Sequence, residues 1–194
     1  IKWTYVTKVV GNIGFGCVNV KAPVNSVPTL TNTTVTNIST TAADFAGNVT
    51  ATGGSAISAN GTVYSIKATN ANPQIGGSGV TNLATSSPGA GTGTFSNPSG
   101  AVLSPNLQYS YNAYATNTTG TGYGTVADFW TLANVPSAVS LSGAQVSSLS
   151  VSLNTTDGNP ATTEYAIQET TTGNYVQNDG TLGATASWNI AGAL

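Results

Sequence analysis

The chain has very few charged side chains, and this deficit excludes several classes of function. Four Lys and six Asp or Glu occur in 194 residues, with neither Arg nor His, whereas an ordinary soluble domain is about one quarter charged. The four Lys are scattered, so the chain lacks the clustered cations that contact nucleic-acid phosphates. We therefore expect no nucleic-acid partner, and a surface covered mainly by Thr, Ser, Asn and Gly.

The side chains that most catalytic and metal sites use are also scarce. The chain has no His and one Cys, which excludes zinc sites and His-dependent triads. Paired-carboxylate catalysis is not expected either, because Glu164 and Glu169 are five positions apart and point to opposite faces of a strand. Asp157 and Asp179 each precede a Gly in a turn sequence. We predict no enzyme activity, no cofactor and no metal site.

Long apolar runs and paired cysteines are missing as well. No stretch approaches the roughly 18 apolar residues of a membrane-spanning helix, so we expect no membrane insertion. Cys17 has no second Cys with which to form an internal disulfide. We interpret it as a buried small apolar residue, with an intermolecular bridge or a reactive thiol as the alternatives. The chain starts at Ile1 and contains no Met, which indicates a processed product or part of a longer polypeptide.

Alternation of apolar and polar residues, broken by Gly, Pro, Asn and Asp, runs through the whole chain. No stretch shows sustained helical periodicity, so we predict an all-β fold. In the middle of the chain the predicted strands are 33–39, 43–50, 62–68, 93–95 with its neighbours, 107–117 and 124–132. The predicted turns and loops between them are 51–54, 60–61, 73–79 and 86–93.

A two-part motif occurs twice at the same spacing. Gly14-Phe15-Gly16 is followed by Val27-Pro28, and Gly122-Tyr123-Gly124 is followed by Val135-Pro136, each 108 positions further along the chain. An alternating aromatic run precedes both glycine pairs. A recurrence of about a hundred residues is the length of a small sandwich domain.

The repeat predicts three parts with boundaries at the two Val-Pro pairs. Residues 28–135 form one complete module, residues 136–194 the first strands of a further module, and residues 1–27 the last two strands of a module. In 136–194 the predicted strands are 146–153, 164–170, 174–177 and 184–190. A sandwich that lacks two strands exposes a core face and unpaired edges, so the two incomplete parts are predicted to complement one another.

The closing strands of the complete module carry a recognisable pattern. It consists of Leu103 to Asn117, Gly120 to Gly124 and Phe129 to Leu132, together with Thr40-Thr41-Ala42, Gly47-Asn48-Val49 and Gly53-Gly54. These residues resemble fibronectin type III-like modules of bacterial surface and secreted proteins. The resemblance implies tandem immunoglobulin-like β-sandwiches with Leu103 and Tyr109 forming a tyrosine corner. It also implies a role as a spacer, adhesive unit or subunit wall, with no catalytic residue.

The aromatic residues and the asparagine sequons are the remaining candidates for sugar-binding or glycosylation sites. We interpret Tyr109, Tyr111, Tyr114, Phe129 and Trp130 as alternating core and face residues rather than a sugar-binding platform, and Trp188 as a core residue. Six Asn-x-Ser/Thr sequons are candidate glycosylation sites, although chance sequons are expected in a chain so rich in Asn, Thr and Ser. They are Asn32, Asn37, Asn48, Asn60, Asn117 and Asn154.

These patterns favour a structural role. We expect a component of an extracellular filament or cell-surface adhesin, built head to tail from copies of itself by strand complementation. The same patterns fit a tandem array of modules within one longer polypeptide equally well. The alternatives are non-catalytic spacer modules of a secreted carbohydrate-active enzyme or of a viral fibre protein. Surface glycans are a further candidate partner.

Overall fold

The computed structural model describes residues 24–85, 89–97, 101–145, 147, 149–154 and 156–190. The predictions for residues 1–23, which include Cys17 and the first glycine motif, lie outside this part of the chain. All regular secondary structure in the described residues is β-strand. The prediction of an all-β fold is therefore confirmed there, whereas the tandem arrangement stays a prediction.

Eight strands form the first part of the described chain. They are β1 (Thr29–Asn32), β2 (Phe45–Ala51), β3 (Ala59–Ile66), β4 (Thr81–Ala84), β5 (Gly93–Asn97), β6 (Gln108–Thr116), β7 (Thr121–Tyr123) and β8 (Ala127–Trp130). One antiparallel sheet has the order β1-β2-β5, and the other has the order β4-β3-β6-β7, with β8 also paired to β6. Strands β7 and β8 share one edge of β6, since Tyr123 pairs with Tyr114 and Ala127 with Tyr111.

The two sheets enclose a common core, an arrangement consistent with a β-sandwich. At its centre the Phe45 ring lies 5.5 Å, centroid to centroid, from each of the Tyr64, Tyr111 and Phe129 rings. The other end of the core is filled by smaller side chains, among them Leu30, Val49, Ile57, Ala113 and Ala115. Alternate residues of β6 reach both ends, so the strand predicted at 107–117 holds the core together.

The loop between β3 and β4 covers the outer face of the larger sheet. The amide of Ile75 donates a 3.0 Å hydrogen bond to the hydroxyl of Tyr123, whose ring lies 6.4 Å from that of Tyr114. Pro73 and Tyr114 are fully buried. Strand β6 is therefore covered on both faces, which explains why nearly all of its residues are buried.

Some predicted boundaries are wrong because tertiary contacts override local preference. Asn60 and Gly61, predicted as a turn, lie inside β3, where a Cβ on Gly61 would come within 2.9 Å of the Tyr114 ring. The segment 33–39 makes only an isolated bridge at Thr36, and the first strand lies earlier, at β1. Strand β4 was not predicted, and 124–132 contains only β8, with Gly124 at a break after β7.

Six short strands follow Pro136. They are β9 (Ser140–Ser142), β10 (Ser150–Ser152), β11 (Glu164–Tyr165), β12 (Tyr175–Val176), β13 (Leu182–Gly183) and β14 (Asn189–Ile190). They form three separate antiparallel pairs, β9 with β10, β11 with β14, and β12 with β13. The strands predicted at 146–153, 164–170 and 184–190 are therefore much shorter than expected. Among the described residues after Pro136, Tyr165 is the one buried hydrophobic side chain.

Candidate functional site

The chain reaches the two sheets of strands β1–β8 along a path that depends on glycine. A Cβ on Gly122 would overlap the carbonyl oxygen of Pro28, and one on Gly53 would overlap that of Ser26. The amide of Ser26 donates a 2.8 Å hydrogen bond to the Gly53 carbonyl. The second Gly of the repeated motif, Gly124, lies against the side chain of Asn32. The Gly-x-Gly motif therefore leaves room for the strand that begins at the Val-Pro pair.

Two sequon asparagines have structural tasks. The Asn32 side chain accepts a 2.8 Å hydrogen bond from the Ala113 amide and donates to the carbonyl of Thr125. Thr125 lies between β7 and β8, which pair with successive parts of the same edge of β6. The Asn117 side chain donates to the carbonyls of Ser26 and Thr52, and accepts from two amides of its own turn. A sugar on the amide nitrogen removes one of its two N–H donors, so Asn117 could no longer donate to both carbonyls, and a sugar on Asn32 would have to be accommodated beside Thr125.

The six sequons differ in access. Asn60 and Asn117 are 4% and 5% exposed, so a glycan on either is incompatible with the folded module. Asn48 is half-buried on β2, and Asn37 and Asn154 are exposed. Asn37, Asn48 and Asn154 therefore remain the candidate glycosylation sites.

Tyr109 lies at the start of β6 and reaches back to the preceding loop. Its hydroxyl oxygen accepts a 2.9 Å hydrogen bond from the amide of Ser104, the residue after the buried Leu103. The ring of Tyr109 stacks on that of Phe129 at 5.7 Å. One phenol thereby joins the loop to the core, and its assignment as a tyrosine corner stays a prediction.

The segment after Pro136 holds an open apolar groove with a volume of about 750 Å³. We define the apolar groove by seven of its lining residues: Val139, Leu141, Leu149, Val151, Ile167, Val176 and Leu182. Leu141, Leu149 and Leu182 each leave about half or more of their surface exposed. These side chains come from β9, β10, β12 and β13 and the loops beside them. The apolar faces of these strands, which would normally pack into a core, are therefore exposed to solvent.

A hydrogen-bonded junction links this segment to the chain that follows β8. The amide of Asn134 donates to the side chain of Asn159 at 2.7 Å, and the Asn159 side chain donates to the Asn134 carbonyl at 3.0 Å. The Asn134 side chain also donates to the carbonyl of Asp157. Asp157 in turn accepts hydrogen bonds from the amide of Asn159 and the hydroxyl of Tyr165. The Asp-Gly sequence at 157 therefore forms a turn that holds the junction.

A second cavity, of about 500 Å³, lies beside this junction. We call it the tryptophan cleft and define it by its lining residues: Asn106, Trp130, Ala133, Thr162, Thr163, Glu164 and Trp188. The Asn106 side chain donates a 2.8 Å hydrogen bond to the Thr163 hydroxyl across the cleft. Trp188 is 62% exposed, so its prediction as a core residue is wrong. Sequence reasoning missed this cleft, because its two indoles are far apart in the chain.

Glu169 and Asp179 each accept hydrogen bonds within a turn. Glu169 accepts hydrogen bonds from the Thr172 hydroxyl and from the amides of Thr171 and Thr172, and these bonds lower the pKa of its carboxyl from 4.5 to about 2. Hydrogen bonds from Thr181 likewise lower the pKa of Asp179. No cluster of three or more His, Cys, Asp or Glu side chains suited to a metal ion occurs in the described residues.

One ion pair crosses the larger sheet. Lys67 Nζ lies 2.6 Å from Asp128 Oδ2, and Ser110 donates to the other oxygen of Asp128. Both hydrogen bonds lower the pKa of the Asp128 carboxyl, and the bond from Lys67 has the larger effect. Both charged side chains are about one third exposed, so this contact stabilises the surface only modestly.

Comparison with known proteins assigns no family. No family model and no curated protein matches the chain. Among solved structures, it is similar to the sensor domain of the anti-sigma factor RsgI4 of Pseudobacteroides cellulosolvens. A shorter form of that domain is 17% identical over 56% of this chain and 97% of its own, with a TM-score of 0.40. A longer form is 17% identical over 59% of this chain and 98% of its own, with a TM-score of 0.41.

At these identities and TM-scores the likeness assigns no function to the chain. None of the described residues belongs to a helix long and apolar enough to cross a membrane.

Proposed function

We propose that this chain is a structural component of an extracellular filament or cell-surface adhesin, in which strands of a neighbouring copy complete the segment after Pro136. The observation that carries the proposal is the apolar groove. Residues 28–135 contain all but one of the buried hydrophobic side chains of the described chain, whereas the segment after Pro136 contains only Tyr165. The charge-poor composition and the absence of a disulfide pair are compatible with an extracellular surface rich in Thr, Ser and Asn.

The groove supports strand addition on energetic grounds. Full burial of an exposed Leu or Val side chain stabilises by about 1.5–3 kcal/mol, and Leu141, Leu149 and Leu182 are all about half exposed or more. Two added strands with alternating apolar residues would cover these side chains and pair the exposed edges. Residues 1–27 carry such alternation in Trp3-Thr4-Tyr5 and in the run from Ile13 to Val20.

The complete module supplies a template for how the two parts would meet. Within it, Gly122 of β7 leaves room for the carbonyl of Pro28. The repeat places Gly14 where Gly122 stands and Pro136 where Pro28 stands. We therefore propose that Gly14 of one copy lies against Pro136 of the next. Such a contact joins different surfaces of the two copies, does not close on itself, and produces a fibre.

The strand order of residues 28–135 supports the proposed fibronectin type III-like module. Three strands, β1-β2-β5, face β4-β3-β6 with β7 and β8, and Tyr109 bonds back to the loop at Ser104. The proposed boundaries remain at the two Val-Pro pairs. In a tandem array, the same contact between Gly14 and Pro136 equivalents would form within one polypeptide.

Polymer formation by the purified chain tests the proposal. Negative-stain imaging and sedimentation should show fibres of repeating units, and a free peptide of residues 1–27 should compete with their growth. Leu141→Lys, which places a charge in the groove, should abolish both polymer and peptide binding. Val102→Lys is the matched control, since Val102 is 87% exposed and lies outside the groove.

Two results would decide against subunit assembly. A chain that stays monomeric and does not bind the 1–27 peptide would contradict strand complementation. Native material whose intact mass, after sugars are removed, is several-fold above 19.3 kDa would place the same contact inside a longer polypeptide.

A further inference from the structure

The tryptophan cleft presents two large aromatic faces to solvent. Trp130 is 56% exposed and Trp188 is 62% exposed, although an indole ring usually contributes most of its large surface to a core or an interface. Both line one open cleft of about 500 Å³. This cleft is separate from the apolar groove and does not depend on the proposed assembly.

Paired strands on both sides of the junction hold the two indoles in place. Trp130 ends β8 and pairs with Gln108 of β6. Trp188 directly precedes β14, which pairs with β11 through Asn189 and Tyr165. The hydrogen bond between Asn106 and Thr163 joins the two sides at 2.8 Å. The cleft is therefore built before any ligand arrives, which reduces the ordering cost of binding.

The polar groups around the rings suit hydroxyls. Among the described residues, neither indole N–H donates a hydrogen bond to a protein group, so both donors face the cleft or solvent. The Glu164 carboxylate can accept hydrogen bonds from a ligand, and the Thr162 hydroxyl can donate or accept. Glu164 is the one charged residue of the lining, and its negative charge disfavours an acidic ligand.

We propose that the tryptophan cleft binds a neutral saccharide chain. A pyranose ring has apolar C–H faces, which stack on indoles, and a rim of hydroxyls, which bond to carboxylates, amides and other hydroxyls. Trp130 and Trp188 act as stacking platforms, and Glu164 accepts from a sugar hydroxyl. An ammonium cage is disfavoured, because it needs rings close around one cation and no ring contact joins these two indoles.

Titration with defined sugars tests this site. The probes are the neutral hexasaccharides of β-1,4-linked glucose, mannose, xylose and N-acetylglucosamine. Their binding is followed through the indole N–H resonances of the full chain carrying Leu141→Lys, which lies in the apolar groove outside the cleft and is expected to prevent polymer formation. At least one should shift the Trp130 and Trp188 resonances with a dissociation constant below about 1 mM. Trp130→Ala and Trp188→Ala should each weaken binding at least tenfold, and Glu164→Gln should weaken it about threefold or more.

Leu132→Ala is the control, because Leu132 is 57% exposed close to Trp130 but does not line the cleft. It should bind the same sugar with unchanged affinity, and all variants should keep the wild-type thermal midpoint. The proposal is overturned if no hexasaccharide binds at about 5 mM, or if both Trp variants bind normally. Binding of tetramethylammonium without any sugar would assign the cleft to cations. Loss of polymer in the Trp variants without sugar binding would make it a subunit contact.

Discussion

The side-chain amide of Asn117 donates a 2.7 Å hydrogen bond to the main-chain carbonyl of Ser26, which lies 91 residues earlier in the chain. The same nitrogen donates to Thr52 at 2.8 Å, and the side-chain oxygen accepts from the amides of Thr119 and Gly120. One buried side chain therefore joins the incoming segment, the β2–β3 loop and the β6–β7 turn. These hydrogen bonds hold the chain at Ser26, directly before the Val27-Pro28 pair.

Replacement of Asn117 should be costly for stability. Asn117→Ala leaves two carbonyls and two amides without this partner, and buried polar groups without partners cost about 1–3 kcal/mol each when water cannot reach them. We expect the free energy of unfolding to fall by about 2–3 kcal/mol, measured by urea denaturation. Asn72→Ala, at an exposed loop position, should change it by less than about 0.5 kcal/mol. Equal effects of the two variants would contradict the role of Asn117.

A methyl group on Gly122 should disrupt the approach of the chain to the module. In Gly122→Ala the new Cβ overlaps the carbonyl oxygen of Pro28, and a backbone atom cannot move away as a flexible side chain can. We expect a loss of about 1–3 kcal/mol in unfolding free energy and faster amide exchange at residues 26–30. Gly91→Ala, with open space around the new Cβ, should be neutral or slightly stabilising.

The Glu169 turn should depend on pH in a defined window. Because hydrogen bonds from Thr172 and Thr171 lower the folded-state pKa from 4.5 to about 2, the turn is fully stabilised above pH 4.5. That stabilisation is lost as the pH falls towards 2, since the unfolded state binds its proton first. The amide resonances of Thr171 and Thr172 should titrate with a midpoint near 2.

Two substitutions check this assignment. Glu169→Gln should abolish the titration of these two amides, because it removes the ionisable group. Glu164→Gln should leave both resonances and their midpoint unchanged, since the hydrogen bonds of this turn are accepted by Glu169. A midpoint near 4.5 in the wild-type chain would show that the three hydrogen bonds are not formed in solution.

Glycan occupancy should follow exposure and not the sequon alone. If the native protein is glycosylated on Asn, sugars are expected at Asn37, Asn48 or Asn154 and not at the buried Asn60 and Asn117. Glycopeptide mass spectrometry, with enzymatic release in heavy-oxygen water to mark occupied sites, measures this directly. A sugar on Asn60 in folded material would contradict its position inside β3.

Much of the complete module could be predicted from alternation alone, and the misses have physical causes. The strand predicted at 107–117 is observed as Gln108–Thr116, because apolar residues occupy every second position from Leu107 to Ala115. The Asn60-Gly61 pair favours a turn locally, yet it lies inside β3, where Gly61 pairs with both β4 and β6 and a Cβ would overlap the Leu83 carbonyl. Strand β4, Thr81–Ala84, is only four residues long, too short for alternation to predict it, and it pairs with β3.

The candidate sites were less predictable than the strands. The six sequons could be read from the sequence, but their access could not, since Asn32 and Asn117 are held by partners about 80 and 91 residues away. The two tryptophans of the cleft were interpreted separately, as face and core residues. The junction at Asn134 and Asn159, together with the hydrogen bond between Asn106 and Thr163, brings them to one cavity.

The sequence by itself determined the all-β class and the scarcity of titratable side chains, because residue alternation and composition are local properties of the chain. Tertiary structure alone decided which asparagines are buried, which glycines must lack a side chain, and which aromatic faces stay exposed. It also left the groove after Pro136 open, with Leu141 62% exposed. Burial depends on what packs from a distant part of the chain, and no local pattern contains that information.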